Sequence, residues 1–182
     1  MNCAEIDNSA RGRPLDVLVI GYGNTLRRDD GAGPAVVARM SGMHEGDRCA
    51  FSIVHQLAPE NVEEIGRARR AVFVDASVGV APGKIRVSRL SSREPGGRAL
   101  THFVSPQTLL WMSQKLFGRS PAAWSVEIGV ADLSVGEALS PAVDRACARL
   151  AGHLGHRLRW WLHSPELSAS LNASKEDFYV RT

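Results

Sequence analysis

The chain has 182 residues, of which 44% are hydrophobic and 23% are charged, and its formal net charge is +3. This composition is that of an ordinary globular domain, and it argues against intrinsic disorder and against insertion into a membrane. Basic residues are scattered along the chain and are not gathered with aromatic residues, so no nucleic-acid partner is predicted. The three cysteines form no C-x-x-C pair, so neither a disulfide framework nor a zinc knuckle is expected.

Residues 15–163 are predicted to form one domain, with a flexible terminus on each side. Residues 1–14 are polar without any period, and residues 164–182 are polar apart from Phe178 and Tyr179. Segments with so little apolar surface cannot offset the entropy lost on ordering. The N-terminal residues lack the apolar stretch of a signal peptide, and no apolar run is long enough to cross a bilayer. We therefore expect a cytoplasmic protein without a membrane partner.

The first predicted element is a strand over residues 17–20, V-L-V-I, whose unbroken apolar character indicates burial on both faces. It ends at Gly21 and leads into the loop G-Y-G-N-T-L-R-R-D-D-G-A-G, which contains Asp29 and Asp30. A helix is predicted to begin at Pro34. Two carboxylates therefore lie between a parallel-type strand and a helix, at the edge of an open α/β sheet where ligands bind.

Generic patterns leave the role of this loop open. The G-x-G-x-x-G pattern of dinucleotide-binding proteins fails because Leu26 stands in place of the third glycine. Two acidic residues would also repel a pyrophosphate. The structural alternative is a turn whose aspartates only cap a helix.

A second strand is predicted over residues 50–55. Phe51 and Ile53 are expected to share one face, with His55 as a candidate third member, because alternate residues of a strand point to the same side. Pro59 then begins a short helix with its apolar residues toward the sheet and its acidic residues toward water.

Residues 71–74, A-V-F-V, predict another buried strand, which ends at Asp75. A carboxylate in that position is costly to bury unless the chain emerges there at the ligand-binding edge of the sheet. The structural alternative is an aspartate that caps the following turn. After this turn, residues 84–87 are predicted to return as a further strand.

A well-marked helix is predicted with Ser105 as its N-cap, Pro106 in its first turn and Gly118 at its end. His102 precedes the N-terminus of this helix. A histidine there is either a hydrogen-bonded structural residue or a ligand. Residues 124–130 then alternate as the last strand.

The longest helix is predicted to begin at Ser140 and Pro141, and its apolar residues recur at three- and four-residue steps up to Trp161. Strands therefore alternate with helices along the chain. This order predicts an α/β fold, a three-layer αβα sandwich around a mostly parallel sheet.

Two of these patterns resemble those of a known family. The stretch G-Y-G-N-T-L-R-R-D-D-G-A-G is similar to the opening signature of the hydrogenase maturation proteases, endopeptidases that trim the C-terminus of the large subunit of nickel-iron hydrogenases. The stretch V-D-A-S-V-G-V-A-P-G-K-I, which contains Asp75, matches the second motif of that family. The resemblance extends from about Asp16 to Trp161, and it implies a twisted five-stranded sheet covered by helices.

The resemblance also implies an activity and a partner. It implies an endopeptidase of the aspartic type that removes the C-terminal extension of a nickel-loaded hydrogenase large-subunit precursor. The catalytic and metal-binding set of the family falls on Asp30, Asp75 and His102, and the nickel is supplied by the precursor. Two carboxylates and one imidazole suit a divalent first-row ion.

Several alternatives stay open at this point. Either the metal activates the attacking water or a carboxylate acts as the general base, with Asp29 as a candidate helper. The chain could also be a chaperone-like protein that binds the metal-loaded precursor without cutting it. A small-molecule hydrolase or a nucleotide-binding protein on the same fold is the third possibility, because a fold does not fix a function.

Overall fold

A computed structural model describes residues 14–42, 48–94 and 104–163. Its strands and helices are β1 Leu15–Tyr22, α1 Ala32–Ser41, β2 Cys49–Val54, α2 Val62–Arg67, β3 Ala68–Ser77, β4 Ile85–Leu90, α3 Pro106–Phe117, β5 Ala122–Gly129 and α4 Pro141–His163. Short 3-10 turns at Arg28–Gly31 and Pro59–Asn61 precede α1 and α2. The predicted termini lie outside the described residues apart from Pro14, so the domain boundaries stay a prediction.

The five strands form one sheet in the order β2-β1-β3-β5-β4. Four of them are parallel, and β4 is antiparallel to its neighbour β5. Helices α1 and α4 cover one face of the sheet around Val19 and Val126, while α2 and α3 cover the other face around Ile20 and Phe73. Both the predicted αβα sandwich and the mostly parallel five-stranded sheet are confirmed.

The order of the strands places a crevice beside β1. The chain passes from β1 through α1 to β2 on one side, and then through α2 to β3 on the other side of β1. Helices α1 and α2 therefore lie on opposite faces of the sheet. The crevice lies between the carboxyl ends of β1 and β3. Such a switch point is where open α/β sheets bind their ligands.

Two strands are longer at this edge than the sequence predicted. The prediction that the first strand ends at Gly21 is wrong, because Tyr22 still pairs with Val54 of β2. The prediction that the third strand ends at Asp75 is also wrong, because pairing with β5 continues as far as Ser77. Backbone pairing with a neighbouring strand decides where a strand ends, and the polarity of the side chain does not.

Two predictions about the region around β2 and α1 are wrong as well. Helix α1 begins at Ala32, since the 3-10 turn leads directly into it, and Pro34 lies within its first turn. The second strand was expected to extend to His55, yet β2 ends at Val54, and Ile53 near that end is 51% exposed. Because β2 is the edge strand, the core covers Phe51 but leaves Ile53 in contact with solvent.

Glycines allow α1 and its preceding turn to lie directly against the strand ends. A Cβ at Gly33 would overlap the carbonyl oxygens of Val74 and Tyr22. Gly23 has a φ of +141°, which residues with a side chain rarely adopt. A Cβ there would also overlap the carbonyl oxygen of Asp30. The acidic turn is therefore packed backbone to backbone against β1 and β3.

The predicted caps of α3 are confirmed. The hydroxyl oxygen of Ser105 accepts a hydrogen bond from the backbone N–H of Thr108 at 3.1 Å, and Gly118 ends the helix with a φ of +69°. Helix α4 turns a continuous apolar stripe toward the sheet, as its periodicity predicted. Among the described residues, no helix is long and apolar enough to cross a membrane.

Candidate active site

A cavity of about 380 Å³ lies at the carboxyl ends of β1, β2 and β3 and beside the N-terminus of α3. Its lining comes from four separate segments of the chain. These residues are Tyr22, Gly23, Asn24, Asp30, His55, Gln56, Leu57, Asp75, Val104, Ser105 and Pro106. The fold thus brings Asp30 and Asp75, which come from two different sequence motifs, to one cavity.

Asp30 reaches the cavity from the 3-10 turn that precedes α1. Its Oδ2 accepts a hydrogen bond from the backbone N–H of Asn24 at 3.0 Å. Asn24 in turn accepts a hydrogen bond from the N–H of Leu26 at 2.9 Å through its own side chain. The loop therefore closes on itself and fixes the orientation of the Asp30 carboxylate.

Asp75 lies inside β3 and is half-buried. Its Oδ1 accepts a hydrogen bond from the backbone N–H of Ala76 at 2.8 Å, and the hydroxyl of Tyr22 donates a second hydrogen bond to the carboxylate. Burial raises the pKa of Asp75 to about 6, although these two hydrogen bonds act in the opposite direction. The neighbouring charges of Asp30 and Glu127 also raise this pKa.

A row of polar side chains crosses the sheet at the level of Asp75. Glu127 of β5 is its partner in the register, and Arg86 of β4 is opposite Glu127. Arg86 binds Glu127 with two hydrogen bonds of 2.7 and 2.9 Å, which lowers the pKa of that carboxyl. On the other side, Gly21 pairs with the residue before Asp75, so Tyr22 lies beside Asp75. Glu127 is therefore an ionised like charge that disfavours ionisation of Asp75.

Asp29 does not join this site, although the sequence offered it as a candidate helper. It is completely buried, and donors from the segment between β5 and α4 surround its carboxylate. Ser140 donates to it through its backbone N–H at 2.7 Å and its hydroxyl at 3.0 Å, and the N–H of Asp132 donates at 3.2 Å. Asp29 therefore ties the acidic turn to the β5–α4 segment.

His102, the third predicted site residue, lies outside the described residues. Val104 and Ser105, which follow it closely in the chain, line the cavity. Across the described ranges, no group of three or more His, Cys, Asp or Glu side chains could hold a metal ion. The predicted set of Asp30, Asp75 and His102 is thus represented here by its two carboxylates.

His55 and Tyr22 line the cavity but were not singled out from the sequence. His55 was predicted to be the last residue of the second strand, which is wrong because β2 ends at Val54. A polar residue directly after a strand at the carboxyl edge was the signal that identified Asp75. The same signal, applied to His55, would have identified it as a candidate site residue.

No protein-family model and no curated protein sequence matches the chain. Among solved structures, the NiFe hydrogenase maturation protease HycI from Thermococcus kodakarensis KOD1 is similar over 81% of this chain and 95% of its own, with a TM-score of 0.64 and 18% identity. The hydrogenase maturating endopeptidase HybD from E. coli is similar over 80% and 93%, with a TM-score of 0.62 and 20% identity.

A third solved structure has a higher sequence identity to the chain than these two. The hydrogenase 2 maturation peptidase from a Thaumarchaeota archaeon is 25% identical, with a TM-score of 0.59, over 79% of this chain and 97% of its own. The resemblance read from the two sequence motifs is thus confirmed by structures that the chain matches over nearly their whole length. The chain has the fold of the NiFe hydrogenase maturation proteases.

Proposed function

We propose that this protein is an endopeptidase that removes the C-terminal extension of a nickel-loaded NiFe hydrogenase large-subunit precursor. The observation that carries the proposal is the position of Asp30 and Asp75 in one cavity at the switch point of the sheet. The three solved structures described above are named as proteases or peptidases of hydrogenase maturation, which supports the same activity for this chain.

The chemistry of the two carboxylates suits peptide hydrolysis. A general base must lie within reach of the proton that it accepts, and both carboxylates line the same cavity. The hydrogen bond from Asn24 holds Oδ2 of Asp30, so we assign its other oxygen to the attacking water. In this proposal the carboxylates orient the water and accept its proton as it attacks the scissile carbonyl.

Nickel belongs to the precursor in this proposal, and Asp30, Asp75 and His102 are the residues that would hold it. Carboxylate oxygens and an imidazole nitrogen are ligands that a divalent first-row ion accepts, so the two described donors fit such a role. An ion held there would supply positive charge that polarises the peptide. The protein's own residues would then recognise a precursor by the metal that it carries.

The proposal is tested by incubating the protein with purified precursors and measuring their masses. We expect the nickel-loaded precursor to lose a short C-terminal peptide and the nickel-free precursor to stay intact. Asp30→Asn keeps the volume of the side chain but removes its charge, so it should abolish processing while the melting temperature stays unchanged. The matched control is Asp144→Asn, the same chemical change at a half-exposed position on α4, which should process normally.

Three results would contradict the proposal. Rapid cleavage of a nickel-free precursor, or full activity of Asp30→Asn, would contradict the mechanism in which the protein recognises the nickel of the precursor. A precursor that binds the protein tightly and keeps its full mass would instead identify a chaperone-like binder.

A further inference from the structure

Tyr22 is the last residue of β1, and its hydroxyl donates a hydrogen bond to the carboxylate of Asp75 on the neighbouring strand. The contact depends on the register of the two parallel strands, in which Gly21 pairs with Val74. The ring of Tyr22 is half-buried and also lines the cavity. A side chain with only two rotatable bonds, held at the end of a paired strand, is a rigid donor.

The Asp75 carboxylate is held by donors on one side and repelled by charges on the other. The N–H of Ala76 donates to Oδ1 at 2.8 Å, and the hydroxyl of Tyr22 donates as well. Asp30 and Glu127 bring negative charge close to it. An ionised carboxylate has about four lone-pair sites, so two donors leave roughly half of them for a ligand. Which way those lone pairs face depends on how the donors fix the rotation of the carboxylate.

We propose that Tyr22 is a positioning residue, which fixes the Asp75 carboxylate so that its remaining lone pairs face the cavity and the metal-bearing end of the precursor. This inference rests on the proposed function, because it needs Asp75 to contact the nickel of the precursor. Hydrogen bonds that orient metal-binding side chains contribute about 10- to 100-fold to metal affinity. Without the hydroxyl, the bond from Ala76 alone lets the carboxylate turn toward solvent and away from Asp30.

The test measures binding, with a nickel-loaded precursor whose scissile residue has been substituted so that it is not cut. We expect Tyr22→Phe, which removes only the hydroxyl, to weaken binding of this precursor about 10- to 100-fold. Its affinity for the nickel-free precursor should be unchanged, and its melting temperature should stay within a few degrees of the wild type. The matched control is Ser134→Ala, which removes an exposed hydroxyl that donates to Asp132 at 2.6 Å and should leave both affinities unchanged.

A double-mutant cycle shows whether Tyr22 acts through Asp75. Adding Tyr22→Phe to Asp75→Asn should cause no further loss of affinity, because the group that Tyr22 positions has already been altered. The inference would be overturned if the losses of affinity from Tyr22→Phe and Asp75→Asn were additive. It would also be overturned if Tyr22→Phe weakened binding of both precursors equally, or weakened neither. In each of these cases, cleavage by the wild-type protein would leave the proposed function standing. If the wild-type protein neither cuts the nickel-loaded precursor nor prefers it in binding, the proposed function fails and the role of Tyr22 falls with it.

Discussion

Two carboxylates near the carboxyl edge of the sheet lie in opposite surroundings. The carboxylate of Asp29 is completely buried and is surrounded by donors from Ala131, Asp132 and Ser140. The carboxylate of Asp75 is half-buried, has two donors and faces a cavity with other acidic groups close by. Protein donors occupy the carboxylate of Asp29, whereas the carboxylate of Asp75 has lone pairs left for a ligand.

The difference shows how one residue type serves two purposes. A buried charge whose lone pairs are all used by donors holds segments together, because removing it leaves those donors without partners. A charge with spare lone pairs beside like charges costs stability in the free protein, and such a cost is typical of functional sites. Loss of Asp29 should therefore reduce stability, and loss of Asp75 should reduce function.

The largest expected effect is on processing. Asp75→Asn should lower the rate of precursor cleavage by about 1,000-fold, within the range for loss of a positioned general base. The reason is that an amide neither accepts a proton nor carries charge. Cleavage rates of the purified variant, measured by mass spectrometry at equal concentrations of folded protein, provide the measurement. A rate within a few-fold of the wild type would mean that Asp75 takes no part in cleavage, and its role would then not differ from that of Asp29.

The next effect is on stability. Asp29→Asn should lower the free energy of unfolding by about 2–3 kcal/mol, because an amide cannot accept from all of the buried donors. Denaturant titration measures this loss, and processing per folded molecule should be retained because Asp29 does not reach the cavity. Normal stability combined with lost processing would mean that Asp29 belongs to the site.

A smaller loss should follow when a single donor to Asp29 is removed. Ser140→Ala deletes the hydroxyl that donates at 3.0 Å, while the backbone N–H of the same residue still donates at 2.7 Å. We expect a loss of about 1.5 kcal/mol, the contribution of a hydrogen bond to a charged group. Ser134→Ala, at an exposed hydroxyl of the same segment, is the control and should cost much less. Equal losses in the two variants would show that the donors to Asp29 are interchangeable with solvent.

The smallest effect has the opposite sign. The pKa of Asp75 in the folded protein, about 6, exceeds its ordinary value of 3.8, so the folded state binds the proton more tightly than the unfolded state. Ionisation therefore costs stability above about pH 6, and this cost disappears below about pH 4. Asp75→Asn should gain about 1 kcal/mol at pH 7, after discounting for partial exposure, and gain nothing at pH 4. A variant that is less stable than the wild type at pH 7 would show that Asp75 stabilises the fold as Asp29 does.

Much of this protein follows from local sequence. Ser105 and Gly118 mark the two ends of α3 correctly, because capping depends on a few neighbouring backbone groups. The apolar run before Gly21 identifies a strand covered on both faces. The positions of the pair Asp29 and Asp30 and of Asp75 after such runs marked them as candidates for one site, and the family resemblance selected Asp30 from the pair.

Local patterns in the sequence could not separate Asp29 from Asp30, and only the family resemblance did. The two residues are adjacent, identical in chemistry and part of one motif, so no local pattern distinguishes them. Their roles differ because the β5–α4 segment, distant in the chain, brings Ser140 and the backbone of Asp132 to one carboxylate and leaves the other in the cavity.

The same reason explains the part of Tyr22. Within the sequence, Tyr22 is one residue of a glycine-rich loop, and its hydroxyl has no assigned partner. The parallel pairing of β1 with β3 brings it to Asp75, and the pairing of β3 with β5 carries β3 beyond the point where its apolar run ends. Local propensities thus determined the elements and the candidate acids of this protein. Only contacts between segments far apart in the chain decided which acid holds the fold together and which faces the cavity, since a carboxylate's role depends on the donors that reach it.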